Sequence, residues 1–205
     1  MHDDDTQRLV TRARDGDAAA AAQLMQKHRP RLKRMVRARM DPRMKGRVDP
    51  SDVIQESLLS ATQQLPKYLD EQPIPFYPWL RRIAWQKLTH LHQRHLDAQR
   101  RSLRKELPRD CWISDQSAVQ IAELVTARSA SPSSRAQRQE SHEQVRGALQ
   151  QLNEQDREVI LLRYLEQLST KEIAATLDVT TATIRMRHLR ALQKLQQLLQ
   201  RENSS

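Results

Sequence analysis

The chain has 205 residues, long enough for one or two domains, and it contains three glycines and 3% aromatic residues. Sandwiches, barrels and glycine-loop nucleotide folds need more turn residues and bulky strand residues, so this composition counts against them. The abundant helix formers predict an all-α fold instead. The net charge of +10 favours a polyanionic partner, either nucleic acid or an acidic surface.

The amino terminus, MHDDDTQR, is acidic where a signal peptide would be basic and then apolar. The purest apolar run, at residues 159–162, is far too short to cross a bilayer. The chain contains one cysteine, Cys111, which allows no internal disulfide and fits a reducing compartment. We therefore expect a cytoplasmic protein that does not insert into membranes.

Helical periodicity begins in the N-terminal half. Residues 18–40 carry apolar side chains at helical spacing, and Pro30 predicts a kink there or a break into two abutting helices. Lysines and arginines are concentrated in three runs, at residues 27–47, 81–105 and 178–194. Because the three runs fall on separate helical segments, they favour an extended binding surface over simple solvated faces.

A second helix is predicted to begin at Asp49, which can cap it, with Pro50 in its first turn. The helix is predicted to end before Pro66, and its apolar stripe consists of Val53, Ile54, Ser57, Leu58, Ala61 and Leu65. Three polar side chains project from the other face and offer carboxylate and amide groups to a basic partner: Asp52, Gln55 and Glu56. A solvated acidic helix start explains them nearly as well.

A third, longer helix is predicted after the proline cluster of residues 73–78. Four aromatic residues, Phe76, Tyr77, Trp79 and Trp85, lie within ten residues around its start. Trp79 falls on the apolar stripe, so we expect it in the core. Trp85 lies off that stripe among basic and hydroxyl side chains, where it could stack on an unpaired base. The alternative is an exposed tryptophan with no binding role.

One histidine cluster, His90, His92 and His95, has a spacing that resembles a metal site. It lies among basic residues and without a cysteine pair, so metal binding is disfavoured. No Ser-His-Asp order, glycine-rich phosphate loop or paired-carboxylate motif stands out. We therefore expect neither an enzyme nor a cofactor.

Residues 104–142 are predicted to form a flexible linker, because Pro108, scattered serines and the segment SASPSS (129–134) are typical of one. A short amphipathic helix around residues 119–125 is the one element expected within it. From Ser141 the pattern is helical again and continues to about Arg201.

Two helices are predicted at the start of the C-terminal segment. Asn153 and Asp156 mark the beginning of the first, and the residues from Ser169 to Glu172 form a capping box for a short second one. Ala174 in the second helix is small enough to allow close crossing by the helix that follows. A tight turn at residues 178–179 leads to that next helix.

The last predicted helix begins at Thr180 or Thr181, and its inward stripe is Ile184, His188, Ala191, Leu195 and Leu198. A short helix, a tight turn and a second basic helix form the layout of a helix-turn-helix. The outer face carries groups that can reach phosphates and base edges, namely Thr181, Thr183, Arg185, Met186 and Arg190. The plainer alternative is a helical hairpin with a solvated basic face.

Together these segments resemble the sigma-70 family, specifically its two-domain extracytoplasmic-function type. LSTKEIAATLDVTTATIRMRHLRAL is similar to the region 4 helix-turn-helix, DPSDVIQESLLSA (49–61) to region 2.2, FYPWLRRIAWQKL (76–88) to regions 2.3 and 2.4, and HRPRLKRMVRARM (28–40) to region 2.1. The order of these motifs is far more specific than the helix-turn-helix alone.

Asp178 stands where the family often has glycine, and it tolerates the left-handed conformation. His188 and Leu189 are exchanged relative to the usual order, so no base contact is carried over to Leu189.

The resemblance implies two small helical domains, a region 2-like bundle at residues 6–103 and a region 4-like helix-turn-helix at residues 143–201. It implies a sigma factor that binds core RNA polymerase at the β′ clamp helices and the β flap, directs it to promoter DNA and helps to open the −10 region. An anti-sigma protein is a further partner to consider.

The same resemblance implies a role for each group of candidate residues. Asp52, Gln55 and Glu56 would face the polymerase. The −10 element would be contacted by Arg81, Arg82, Trp85, Lys87 and Thr89. The −35 element would be contacted by Thr181, Thr183, Arg185, Met186, Arg187 and Arg190.

Two alternatives remain open from the sequence. The first is a regulator that binds DNA through the helix-turn-helix but never joins polymerase, and it would need its own sensor or dimer domain. The second is a metal-dependent phosphohydrolase that acts on nucleic acid through His90, His92 and His95. Co-purification with polymerase β′ tests the first, and metal analysis with a nuclease assay tests the second.

Overall fold

The computed structural model describes residues 2–40, 44, 48–100, 121 and 135–202, and the regular elements of that part of the chain are all helical. The helices are α1 (His2–Arg14), α2 (Ala18–Arg39), α3 (Pro50–Glu71), α4 (Phe76–Arg100), α5 (Arg135–Gln150), α6 (Glu154–Ile160), α7 (Thr170–Leu177) and α8 (Thr181–Glu202). A π-helical turn, Leu161–Leu165, follows α6 directly. The chain divides into two compact units, residues 1–112 and 113–205. The predicted all-α fold is confirmed.

Helices α1 to α4 form the first unit around one apolar core. Helix α2 packs against α1, α3 and α4, and α3 also packs against α4. Trp79 is 5% exposed and stacks on Tyr68 with ring centroids 4.5 Å apart, so its predicted place in the core is confirmed. The most deeply buried apolar side chains of this core include Leu24, Leu32, Met35, Val36, Ala61, Leu80, Ala84 and Leu88. None of the described helices is long and apolar enough to cross a membrane.

Two prolines that were predicted to interrupt helices lie inside them. Helix α2 is one helix from Ala18 to Arg39, with Pro30 within it, and α3 continues past Pro66 to Glu71, so the predicted end before Pro66 is wrong. A proline inside a helix costs about 3 kcal/mol. Burial of Tyr68 and Leu69 beyond Pro66 offsets this, because each large apolar side chain contributes about 1.5–3 kcal/mol when buried.

The starts of α3 and α4 follow local capping rules. The Asp49 carboxylate accepts a hydrogen bond from the Ser51 amide at 2.7 Å, which confirms the predicted cap. Helix α4 begins at Phe76, inside the proline cluster rather than after it. Pro78 lies in the first turn, where its missing N–H costs little because these amides have no intrahelical partner.

The second unit is organised around α8, which packs against α5, α6 and α7. Helix α5 begins at Arg135, so the helical pattern starts earlier than the predicted Ser141. The residues from 135 to 144 include no aliphatic residue larger than alanine, which explains why periodicity missed this stretch while helix propensity supports it. The helix expected at 119–125 lies outside the described residues except for Ile121, which is helical and buried.

The π-helical turn after α6 changes which residues reach the core. The Glu166 amide donates to the carbonyl of Leu161 at 3.2 Å, one residue further back than in an α-helix. Four consecutive side chains, residues 159–162, are at most 1% exposed. The sequence predicted one ordinary helix here. Helical periodicity does not indicate a π-helical turn, because it places only some of any four consecutive residues on the buried face.

Candidate nucleic-acid interface

Three local motifs set the start of α7, its end and the start of α8. The predicted capping box is confirmed: the Ser169 amide donates to Glu172 Oε2 at 2.8 Å, and the Glu172 amide donates to Ser169 Oγ at 3.2 Å. Asp178 ends α7 in the left-handed conformation with φ 53°, as expected for a residue in the glycine position. Thr180 caps α8 through a hydrogen bond of 3.1 Å from the Thr183 amide to its hydroxyl. These motifs form the predicted helix-turn-helix.

The outer face of α8 carries most of the side chains predicted to contact the −35 element. Thr181, Arg185 and Arg190 are exposed, and Met186 is 66% exposed. Arg187 and Thr183 are half-buried, and the Thr183 hydroxyl lies 2.9 Å from that of Thr180. The opposite face is buried at Ile184, Ala191, Leu195 and Leu198, as predicted.

Arg190 is held by a carboxylate that the sequence did not suggest as its partner. Its Nε and Nη2 donate to the two oxygens of Asp156 at 2.9 and 2.7 Å. Asp156 is 2% exposed and also accepts a hydrogen bond from the side-chain amide of Asn153 at 2.7 Å. The hydrogen bonds from Arg190 are the main cause that lowers the pKa of Asp156 below 3.8, and burial opposes them.

His188 lies beside α8's buried stripe and contacts the π-helical turn. Its Nε2 is 3.1 Å from the Tyr164 hydroxyl, and the two rings have centroids 5.7 Å apart. Burial lowers the pKa of His188, and the charge of Arg163 lowers it further. These contacts agree with the packing role expected for this histidine.

In the first unit, Trp85 lies on the surface of α4 against two buried arginines. The tryptophan is 37% exposed, whereas Arg39 and Arg81 are 2% and 5% exposed. Each guanidinium carbon lies 5.6 Å from a Trp85 ring centroid, within the range of a cation–π interaction. Arg82 is exposed, and Lys87 and Thr89 are half-buried. The two guanidinium groups therefore support the ring from the protein side.

Helix α3 exposes the three side chains predicted to face a polymerase, Asp52, Gln55 and Glu56. Leu59 lies one turn further along the same face, at the i+7 position from Asp52, and it is 63% exposed. An exposed leucine one turn beyond these polar groups adds an apolar contact to this face. The i, i+3, i+4, i+7 spacing would have identified Leu59 in the sequence.

Two other residues near the candidate sites were missed because their partners are distant in sequence. Asp156 was assigned only to a helix start, yet it pairs with a residue 34 positions away. Arg39 was assigned only to a basic run, yet it lies against a tryptophan of another helix. No sequence signal identifies either contact.

The described residues contain no group of three or more His, Cys, Asp or Glu that could hold a metal ion. The side chain of His95 lies outside that part of the chain. The structure therefore adds no support to the metal-dependent alternative.

Comparison with known proteins shows which family model each unit matches. The family model of sigma-70 region 2 matches residues 24–101, and that of sigma-70 region 4 matches residues 142–195. The ECF RNA polymerase sigma factor SigD of Mycobacterium tuberculosis is 30% identical over 187 residues, which cover 91% of this chain and 80% of SigD. The RNA polymerase sigma factor CarQ of Myxococcus xanthus is 29% identical over 93% of this chain and 95% of CarQ.

A solved structure agrees with these matches. CnrH, in its complex with the cytosolic domain of CnrY, superposes with a TM-score of 0.53 at 25% identity and covers 96% of this chain and 97% of its own. The chain belongs to the sigma-70 family of RNA polymerase sigma factors. Within that family it is a factor of the extracytoplasmic-function type, and it directs RNA polymerase to promoters.

Proposed function

We propose that the two units divide promoter recognition, with the first binding polymerase and opening the −10 region and the second reading the −35 element. The observation that carries this proposal is that each unit exposes its own candidate DNA-binding face. In the first unit this face is Trp85 with Arg82, and in the second it is the outer face of α8 with Arg185.

In this proposal the exposed face of α3 binds the β′ clamp helices. Carboxylates at Asp52 and Glu56 attract a basic partner, and Gln55 supplies amide hydrogen bonds. Leu59 adds an apolar anchor, because burying a leucine contributes more than most exposed ion pairs do. The β flap is the proposed contact of the second unit.

The −10 element is proposed to lie along α4. Trp85 stacks on a base once the strands separate, and stacking of this kind is worth about 1–3 kcal/mol per base. Arg82, Lys87 and Thr89 contact the backbone. Arg81 is buried against the Trp85 ring, so its part is to hold that ring in place.

The −35 element is proposed to receive α8 in its major groove. Arg185 lies in the second turn, where side chains of this motif reach base edges, and a bidentate contact to guanine discriminates by about 1–3 kcal/mol. Arg190 and Arg187 add affinity through phosphate. Thr181, Thr183 and Met186 complete the surface.

The proposed domain boundaries are residues 6–103 and 143–201, with 104–142 between them. The family matches at 24–101 and 142–195 support them. We further propose that the protein has no catalytic activity of its own and works in the cytoplasm with polymerase. The complex of CnrH with CnrY supports a protein partner that regulates this chain, such as an anti-sigma protein.

Run-off transcription on genomic promoter fragments tests the proposal, with core polymerase in the presence and absence of the full chain. We expect transcripts that depend on the protein and on both promoter elements. If the protein bound the DNA but neither joined polymerase nor started transcripts, the regulator alternative would be correct. Transcripts that ignored changes in the −35 element would refute the role of the second unit.

A further inference from the structure

The middle of α8's exposed face is apolar. Met186 and Leu189 are 66% and 51% exposed, and they are the two exposed large hydrophobic side chains of the described part of the second unit. Their positions lie about 60° apart around the helix axis and about 4.5 Å apart along it. Ala182, which is exposed, extends this strip toward the start of the helix, and the exposed polar side chain of Gln193 follows it toward the other end. No acidic residue interrupts the face.

Arginines border this strip on both sides. At 100° per residue, Arg185 lies about 40° beyond Leu189, and Arg190 lies about 40° beyond Met186 on the other side. A helix in a major groove directs the middle of its outer face to the base edges and its flanks to the phosphate walls. Met186 and Leu189 then lie over the base edges, and Arg190 lies toward a phosphate wall. Arg185 lies nearer the N-terminal end of the helix, where its proposed contact to a base edge is made.

The chemistry of this apolar strip indicates which chemical group it contacts. Within the major groove the one apolar group on any base is the 5-methyl of thymine. A protein partner would need a far larger apolar surface, since stable interfaces bury roughly 800 Å² on each side. Two side chains between arginines are too small for that. Their offset of about 4.5 Å along the helix is of the same order as the rise of about 3.4 Å between successive bases, so the two side chains can reach neighbouring bases.

We propose that Met186 and Leu189 read thymine methyl groups in the −35 element. This inference rests on the proposed −35 role of α8 and adds the class of base that the apolar strip selects. It also assigns a base contact to Leu189, which the sequence comparison left without one. Thymine is therefore preferred over cytosine at the contacted positions through its methyl group.

The test replaces single thymines with 2′-deoxyuridine, which differs only by the missing methyl. Holoenzyme containing the full chain is titrated, at one fixed salt concentration, with duplexes carrying a promoter found by run-off transcription. Each thymine of the −35 element is replaced in turn on either strand. We expect about fourfold weaker binding when the thymine at one or two positions is replaced, because one methyl group is then no longer buried against the protein.

Variants assign the effect to each side chain. Leu189→Ala and Met186→Ala should each lose the thymine-to-uracil difference at one position while keeping it at the other. Gln197→Ala, exposed on the same helix beyond this strip, is the matched control and should keep both differences. Because all three side chains are exposed, the variants should keep the wild-type circular dichroism spectrum and thermal midpoint.

Two outcomes would overturn the inference and leave the proposed function intact. One is that holoenzyme requires the −35 sequence but binds every uracil duplex as tightly as the thymine duplex. The other is that Leu189→Ala and Met186→Ala weaken binding to core polymerase and keep the uracil effect. Holoenzyme that ignored the −35 sequence altogether would instead refute the −35 role itself.

Discussion

Asp156 and Arg190, 34 residues apart in the chain, tie the first turn of α6 to the third turn of α8 through two hydrogen bonds. The carboxylate is buried, whereas the arginine side chain is 61% exposed. One side of the guanidinium therefore holds the scaffold while the other remains accessible. This pair fixes the helix that carries the candidate −35 surface against the rest of its unit.

The two single substitutions that break this pair should destabilise the second unit by different amounts. Arg190→Ala leaves a buried carboxylate without its cation, so it should lower the thermal midpoint by several degrees. Asp156→Asn keeps a polar contact to Asn153 and should cost less. Adding Asp156→Asn to Arg190→Ala should recover part of the loss, and calorimetry of the full chain at pH 7 measures all three.

The pair also sets a pH dependence. Because the pKa of Asp156 is lowered in the folded protein, its contribution is present above 3.8 and is lost as the pH falls through the lowered value. The wild type and Asp156→Asn should therefore converge in stability at strongly acid pH. A difference that stayed constant down to that pH would contradict the ion pair.

The α3 face can be tested through polymerase affinity. Leu59→Ala should weaken binding to core enzyme about tenfold, because a leucine side chain leaves a buried interface. Asp52→Ala with Glu56→Ala should weaken binding more at low salt than at high salt, since exposed charges are screened. Fluorescence titration of core enzyme measures both effects. Gln64→Ala, exposed but about 120° around the helix from Asp52, is the control and should bind like wild type.

Trp85→Ala should impair promoter opening more than formation of the closed complex, because stacking contributes only after bases separate. Permanganate footprinting of the −10 region should show lower reactivity at equal occupancy of the promoter. Trp85→Phe should retain part of the reactivity, since a smaller ring still stacks. Equal reactivity in all three proteins would show that Trp85 has no part in opening.

His188 should make the folded protein less stable in mild acid. Its pKa is 6.5 in an unfolded chain and lower in the folded protein, so between those values the unfolded chain binds more protons. Stability therefore falls as the pH drops below 6.5, and His188→Gln should show a smaller fall between pH 7.5 and 5.5. Chemical denaturation followed by circular dichroism measures it.

Local sequence determined much of this protein. The caps at Asp49, Asn153 and Ser169 and the left-handed turn at Asp178 were predictable because each depends on residues within four positions. Periodicity identified the buried stripes for the same reason. The motif order that resembles the sigma-70 family is likewise a property of the linear chain.

Tertiary packing decided the rest. Helix α3 continues past Pro66, where the local rule for proline predicts an end, because Tyr68 and Leu69 are buried beyond it against the rest of the unit. The contacts of Asp156 with Arg190 and of Arg39 with Trp85 join separate helices, so they exist only once those helices pack. Local patterns in the chain predicted most of the helical segments and located the basic runs. Only the folded chain decided which arginines are held by a carboxylate or a ring, because that depends on distances between residues far apart in the chain.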